Sequence, residues 1–142
     1  MVIIIDEDFI SSGIENFLDK LNDLETPLTE IGEMLLLSHR ERHDDEISPD
    51  GTPWQELSEK TRQRKKKLKK HPDDILILDG YLRSNYAYQI SDSTLEFGTN
   101  SIYAATHQHG DTERNIPARI FLGLSDSNIE DIGDIFFDFF DE

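Results

Sequence analysis

Cysteine is absent from the chain, which removes disulfide staples, thiolate-bound zinc and thiol nucleophiles together. Long apolar runs are lacking too: no stretch approaches the ~18 residues that a membrane span needs. Residues 2–5 are an apolar run of four without the basic flank of a signal peptide. These absences predict a soluble protein made inside the cell, with no membrane contact. There is no glycine-rich phosphate cradle, and no serine stands in a nucleophile-elbow context. Basic residues are scarce: fourteen Lys and Arg face thirty Asp and Glu, a net charge of −16.

What is present suffices for one core. At 142 residues the chain is about one domain long, and such a domain buries roughly two-thirds of the surface its unfolded form exposes. Eight Phe and a full set of Ile and Leu argue against disorder. The charge is unevenly placed. Residues 60–70, KTRQRKKKLKK, hold eight of the fourteen basic residues and no acid. The remaining six basic residues stand against all thirty acids, so the rest of the chain carries −24. A body of that charge repels nucleic acid and favours basic partners, whereas the basic segment alone has the opposite preference.

Periodicity organises the chain. Residues 2–5 read as a short strand or docking segment. Ile10, Ile14, Phe17, Leu18 and Leu21 follow helical spacing over residues 8–24. Thr26-Pro27 predicts a second helix start, with Thr26 as N-cap and Pro27 at the first helical position. Its inner face runs through Leu28, Ile31, Met34 and Leu35 to Ser38 and Arg42, and it stops before the turn residues Ser48-Pro49-Asp50-Gly51. Residues 58–72 read as an exposed, mobile basic arm, because like charges along it repel. A short helical turn is expected around residues 80–84. Residues 85–98 alternate as a hairpin turning at Ser91-Asp92-Ser93. A compact helical turn over 103–109 is closed by Gly110, residues 116–122 are expected as a strand opened by Pro117, and Ser125 or Asp126 caps a last helix with Ile129, Ile132, Phe136 and Phe139 on one face. The class is α+β: N-terminal helices, a small curved antiparallel sheet and a C-terminal helix, in a single domain over 1–142.

Few residues invite a chemical reading. Trp54, the only tryptophan, pins a turn-rich loop together with Leu57, or else anchors an interface. The arm residues Arg62, Arg64, Lys65, Lys66, Lys67, Lys69 and Lys70 suit a solvated face, a phosphate backbone, or the acidic body of a neighbouring copy. No interleaved aromatics support base stacking. His39 and His43 stand four apart on one helix face. They make half a zinc site, to which His107 and His109 add ligands only if the fold brings them close, and Glu41 is not placed as in HExxH. No cofactor or metal is expected. Four phenylalanines at 136, 137, 139 and 140 cover more than one helix face, so Phe136, Phe139 and Phe140 read as core closure or as a contact surface.

Four segments carry a resemblance when read in order. They are Pro49-Asp50-Gly51-Thr52-Pro53-Trp54 with Leu57 and Thr61; Ile77-Leu78-Asp79-Gly80-Tyr81-Leu82-Arg83-Ser84; Gly98-Thr99-Asn100 followed by Tyr103-Ala104-Ala105-Thr106-His107-Gln108; and Ile116-Pro117-Ala118-Arg119-Ile120-Phe121-Leu122-Gly123-Leu124-Ser125. Together they resemble the phage virion morphogenesis family, the tail-completion proteins of Mu-like phages. Departures occur at Thr106, where the family has an aliphatic residue, at His109, where it has an aromatic, and at Ile120, where proline is frequent. The basic arm and the Phe-rich terminus lie outside the shared pattern.

The resemblance implies a structural, non-enzymatic role in tail completion and head–tail joining, and a fold like those of phage neck and tail-terminator proteins. It implies tail-tube and head-connector partners, a homo-oligomeric ring when assembled, and a virion component built in the bacterial host cytoplasm. Gly80, Leu82, Tyr103, His107, Pro117, Arg119, Phe121 and Leu122 are the structural or interface positions it singles out. Arg119 is expected to order its loop by meeting a nearby acid or carbonyl. The charge asymmetry adds a further expectation: acidic body and basic arm interlock head to tail between copies. The alternative is a module that contacts DNA at the head–tail junction through the arm.

Overall fold

The structure is a computed structural model and describes residues 1–70, 75, 76 and 81–141. Its elements run α1 (Glu7–Asn22), α2 (Glu25–Asp45), α3 (Glu59–Lys67), α4 (Tyr81–Ser84), β1 (Tyr86–Ser91), β2 (Thr94–Thr99), α5 (Ala104–His109) and α6 (Asp126–Asp141). This is an α+β fold. Among the described residues the sheet is a single antiparallel ladder, with Tyr86 opposite Thr99 and Ser91 opposite Thr94. Gly80 and the residues 77–79 of the second motif lie outside the described residues, as do residues 71–72 at the end of the predicted arm.

The long helix α2 organises everything else. Leu28, Ile31 and Leu35 on its first half are buried against Ile132, Ile135 and Phe136 of α6 and against Ile90, Leu95 and Phe97 of the hairpin. Gly32 lets β1 approach closely, since a Cβ there would sit 2.7 Å from the Tyr88 ring. The Tyr88 hydroxyl donates to the Glu33 carboxylate at 2.7 Å. A second core lies beyond, built from Trp54, Ile75, Leu82, Tyr86 and Phe121.

Several local expectations change. Residues 2–5 form no strand and are exposed, which leaves the docking-segment alternative. Helix α2 begins at Glu25, so Thr26 is not its N-cap and Pro27 lies inside its first turn. That is tolerated because an N–H in the first turn has no partner within the helix in any case. The inner face of α2 continues through His39, Arg42 and His43, with Ser38 only half-buried.

The basic segment is a capped helix. Ser58 Oγ accepts from the Thr61 amide at 3.3 Å, and Glu59 stands in the first turn while Arg64 to Lys67 crowd the last. This order favours the helix dipole and offsets the like-charge repulsion. Lys65 is turned inward and buried, so it does not belong with the exposed cations. On α6, Ile129 is exposed, and Ile135 takes its place on the packed face. Phe136, Phe139 and Phe140 are half-buried, whereas Phe137 is 68% exposed.

Residues 116–122 form no strand beyond an isolated bridge between Asp111 and Ile116. The bridge closes a tight loop behind Gly110, whose φ is +75° and whose added Cβ would meet the Ala118 nitrogen at 2.8 Å. Only glycine fits there.

Candidate functional site

Three of the four motif segments converge on one region, and side chains join them where no sheet does. The Trp54 indole N–H donates to the Ile120 carbonyl at 2.8 Å. Arg119, buried, donates through Nε to the Gln55 carbonyl at 2.8 Å and through Nη2 to the Glu56 carbonyl at 3.1 Å. Its partners are carbonyls and not an acid, so burial alone lowers its pKa. The Arg119 amide donates to the His107 carbonyl at 2.7 Å.

Gln108 completes the knot. Its Oε1 accepts from the amides of Phe121 and Leu122 at 3.0 and 3.1 Å, while its Nε2 donates to the Leu122 carbonyl at 3.1 Å. One side chain thus gives residues 121–122 the hydrogen bonds that a neighbouring strand would supply, which is why the predicted strand is unnecessary. Gln108→Ala leaves two amides unpaired and is expected to lower stability by about 2 kcal/mol. Chemical denaturation measures this, and a loss below about 0.5 kcal/mol would show that water replaces the clamp.

Around the knot, Leu82 is buried, Leu57, His107, Pro117 and Leu122 are half-buried, and Tyr103 is exposed. The Nδ1 of His107 is buried with no hydrogen-bond partner among the described residues. Its pKa is lowered, first by burial and then by the nearby Arg119 and Arg114.

Behind Phe121 lies a buried polar cluster on α2. His39 Nδ1 meets the Leu35 carbonyl at 2.8 Å, so that nitrogen carries the proton. Its Nε2 is left to accept from Arg42 Nη2 at 2.8 Å and from the Gly123 amide at 3.3 Å. Arg42 also donates to Asn128 Oδ1 at 3.0 Å and to the Gly123 carbonyl at 2.7 Å. Asn128 Oδ1 further accepts from the Ser125 amide, and Ser125 Oγ accepts from the Asn128 amide. This reciprocal pair caps α6 and ties its first turn to α2.

His43 is fully buried and sits 2.6 Å from the Tyr86 hydroxyl, edge-on to Trp54 with ring centroids 5.2 Å apart. Burial, with the nearby cations Arg42 for His39 and Arg83 and Arg42 for His43, lowers both imidazoles to about 4. Burial likewise raises the Tyr86 phenol. Both rings are therefore neutral core groups. Both His39 nitrogens are occupied by the protein itself, and among the described residues no three His, Cys, Asp or Glu are grouped to hold a metal.

These bonds tie three motif segments to one another and, through His39 and Arg42, to α2. The chain belongs to the phage virion morphogenesis family, whose sequence profile matches residues 5–141. Membership assigns it to phage virion assembly, as a structural virion component. No curated protein and no solved structure matches the chain. Among the described residues, no helix is long and apolar enough to cross a membrane.

Proposed function

We propose that this protein completes the phage tail and joins it to the head, without catalysis, as a homo-oligomeric ring between the tail tube and the head connector, assembled in the host cytoplasm. The observation that carries this reading is the family match over nearly the whole chain. One surface feature suits the role. Helix α1 buries no residue, and Phe9, Ile10, Ile14, Phe17 and Leu18 on it are about half exposed or more. It touches α6 where the Phe17 and Phe140 rings lie 5.3 Å apart. Unpartnered apolar surface of this extent is typical of a protein that meets others. The test is electron microscopy of a lysate in which this gene alone carries a nonsense mutation. Filled heads separate from unjoined or overlong tails are expected. Complete, joined particles would refute the proposal and bring the DNA-contacting reading forward.

A further inference from the structure

An open cleft of about 830 Å³ lies between α2, the 47–51 loop and the start of α6. Its lining includes Leu37, Ile120 and Leu124, each roughly half exposed. The same lining carries five carboxylates, from Glu41, Asp45, Asp50, Asp126 and Asp131. Arg42 is the single cation in the wall, and three of its hydrogen bonds are committed to His39, Asn128 and Gly123. Its Nε–H, in a residue only 6% exposed, has no acceptor among the described residues. No residue from 52–119 lines the cleft, so the chain's own basic helix does not fill it.

The end of α3 has the complementary character. Arg64, Lys66, Lys67 and Lys69 are exposed, and none forms an ion pair with a described residue. Leu68, which ends the helix, is 52% exposed in their midst. One apolar side chain ringed by cations matches an apolar recess ringed by carboxylates.

We propose that the end of α3 from one copy seats in this cleft on a second copy, with Leu68 against Leu37, Ile120 and Leu124, and Lys66 and Lys69 facing the carboxylates. Each copy carries one arm and one cleft, so the contact is heterologous and repeats from copy to copy. Nucleic acid matches the arm alone and leaves the acidic cleft unexplained, which is why a second copy is the favoured occupant. The contact rests on the ring reading and names its copy-to-copy interface, and because it is tested without any virion its failure would leave the tail-completion role to be judged separately.

The experiment is sedimentation of the purified full chain at ionic strengths of about 0.1 M and 1 M, between which the screening length falls from about 10 Å to about 3 Å. Two double variants are compared: Lys66→Glu/Lys69→Glu in the arm and Asp45→Lys/Asp131→Lys in the cleft. All four positions are exposed, and circular dichroism checks that each variant stays folded. Wild type is expected to self-associate at low salt and dissociate at high salt. Each variant alone should associate at least about tenfold more weakly, because like charges face each other in the arm variant and the cleft variant loses its net negative charge. An equimolar mixture of the two should regain association, since the unaltered arm of the cleft variant then meets the unaltered cleft of the arm variant. A monomeric wild type at low salt, a variant that associates like wild type, or a mixture that stays monomeric would each overturn the proposal.

Discussion

Between pH 6.5 and pH 4 the fold is expected to lose stability steeply, by about 2 to 3 kcal/mol per pH unit near pH 5. His39 and His43 carry this effect. In the unfolded chain both imidazoles titrate near 6.5, whereas in the core both resist protonation until about pH 4. Between those values the unfolded chain binds up to two more protons than the folded one. Their contribution is therefore fully present above pH 6.5 and is lost as pH falls toward 4. Integrated over the window it amounts to roughly 6 kcal/mol, comparable with the whole stability of an ordinary domain. Asp44, Asp50 and Asp111, whose hydrogen bonds lower their pKa, act in the same direction only at more acidic pH. Denaturant titrations at stepped pH give the slope directly. His43→Phe keeps a ring against Trp54 and removes one titrating group, so the slope should halve whatever the variant's absolute stability. An unchanged slope would assign the pH dependence to the carboxylates.

Phe121→Ala should cost about 4 kcal/mol and lower the melting temperature by about 15 °C. Phe121 is the largest fully buried side chain among the described residues, at 1% exposure. Its ring contacts those of His43 and Tyr86, with centroids 6.0 and 6.2 Å apart. The cavity cannot collapse easily, because the backbone of residue 121 is held by Gln108 and its neighbour Ile120 by Trp54. Phe137→Ala is the matched control: the same chemical change at a 68% exposed site should stay within about 0.5 kcal/mol. Similar melting temperatures for the two variants would mean that the segment repacks around the loss.

How much of this could be read from the residues depends on which force sets each element. The α1, α2 and α6 helices and the β1–β2 hairpin follow from spacing, since amphipathic periodicity acts locally. The failures are long-range. Residues 116–122 have the composition of a strand, but Gln108 satisfies Phe121 and Leu122 from a helix, and no local pattern announces a side chain acting as a strand. Gln108 stood inside a recognised motif without any role being assigned to it. His39 and His43 were readable as a pair on one face. Their burial was foreshadowed by the step of three or four residues from Leu35, which carries the apolar stripe of α2 straight through them. Arg42 and Asn128 meet across 86 residues, a pairing that composition and spacing do not encode. In the basic segment, the capping Ser58 and the order of charges along the helix outweigh the like-charge repulsion that its composition suggests.

The bond between Trp54 and Ile120 spans 66 residues, and this has a kinetic meaning. Closing a loop of that length costs about 4 kcal/mol of chain entropy before any contact rewards it. Helix α2 and the β1–β2 hairpin need only neighbours in sequence and form on the microsecond scale. The knot around Phe121 must wait for the far ends of the chain to meet. Because Trp54 is the only tryptophan, its fluorescence reports that late meeting, while circular dichroism follows the helices. In a refolding experiment the ellipticity should lead and the fluorescence should lag.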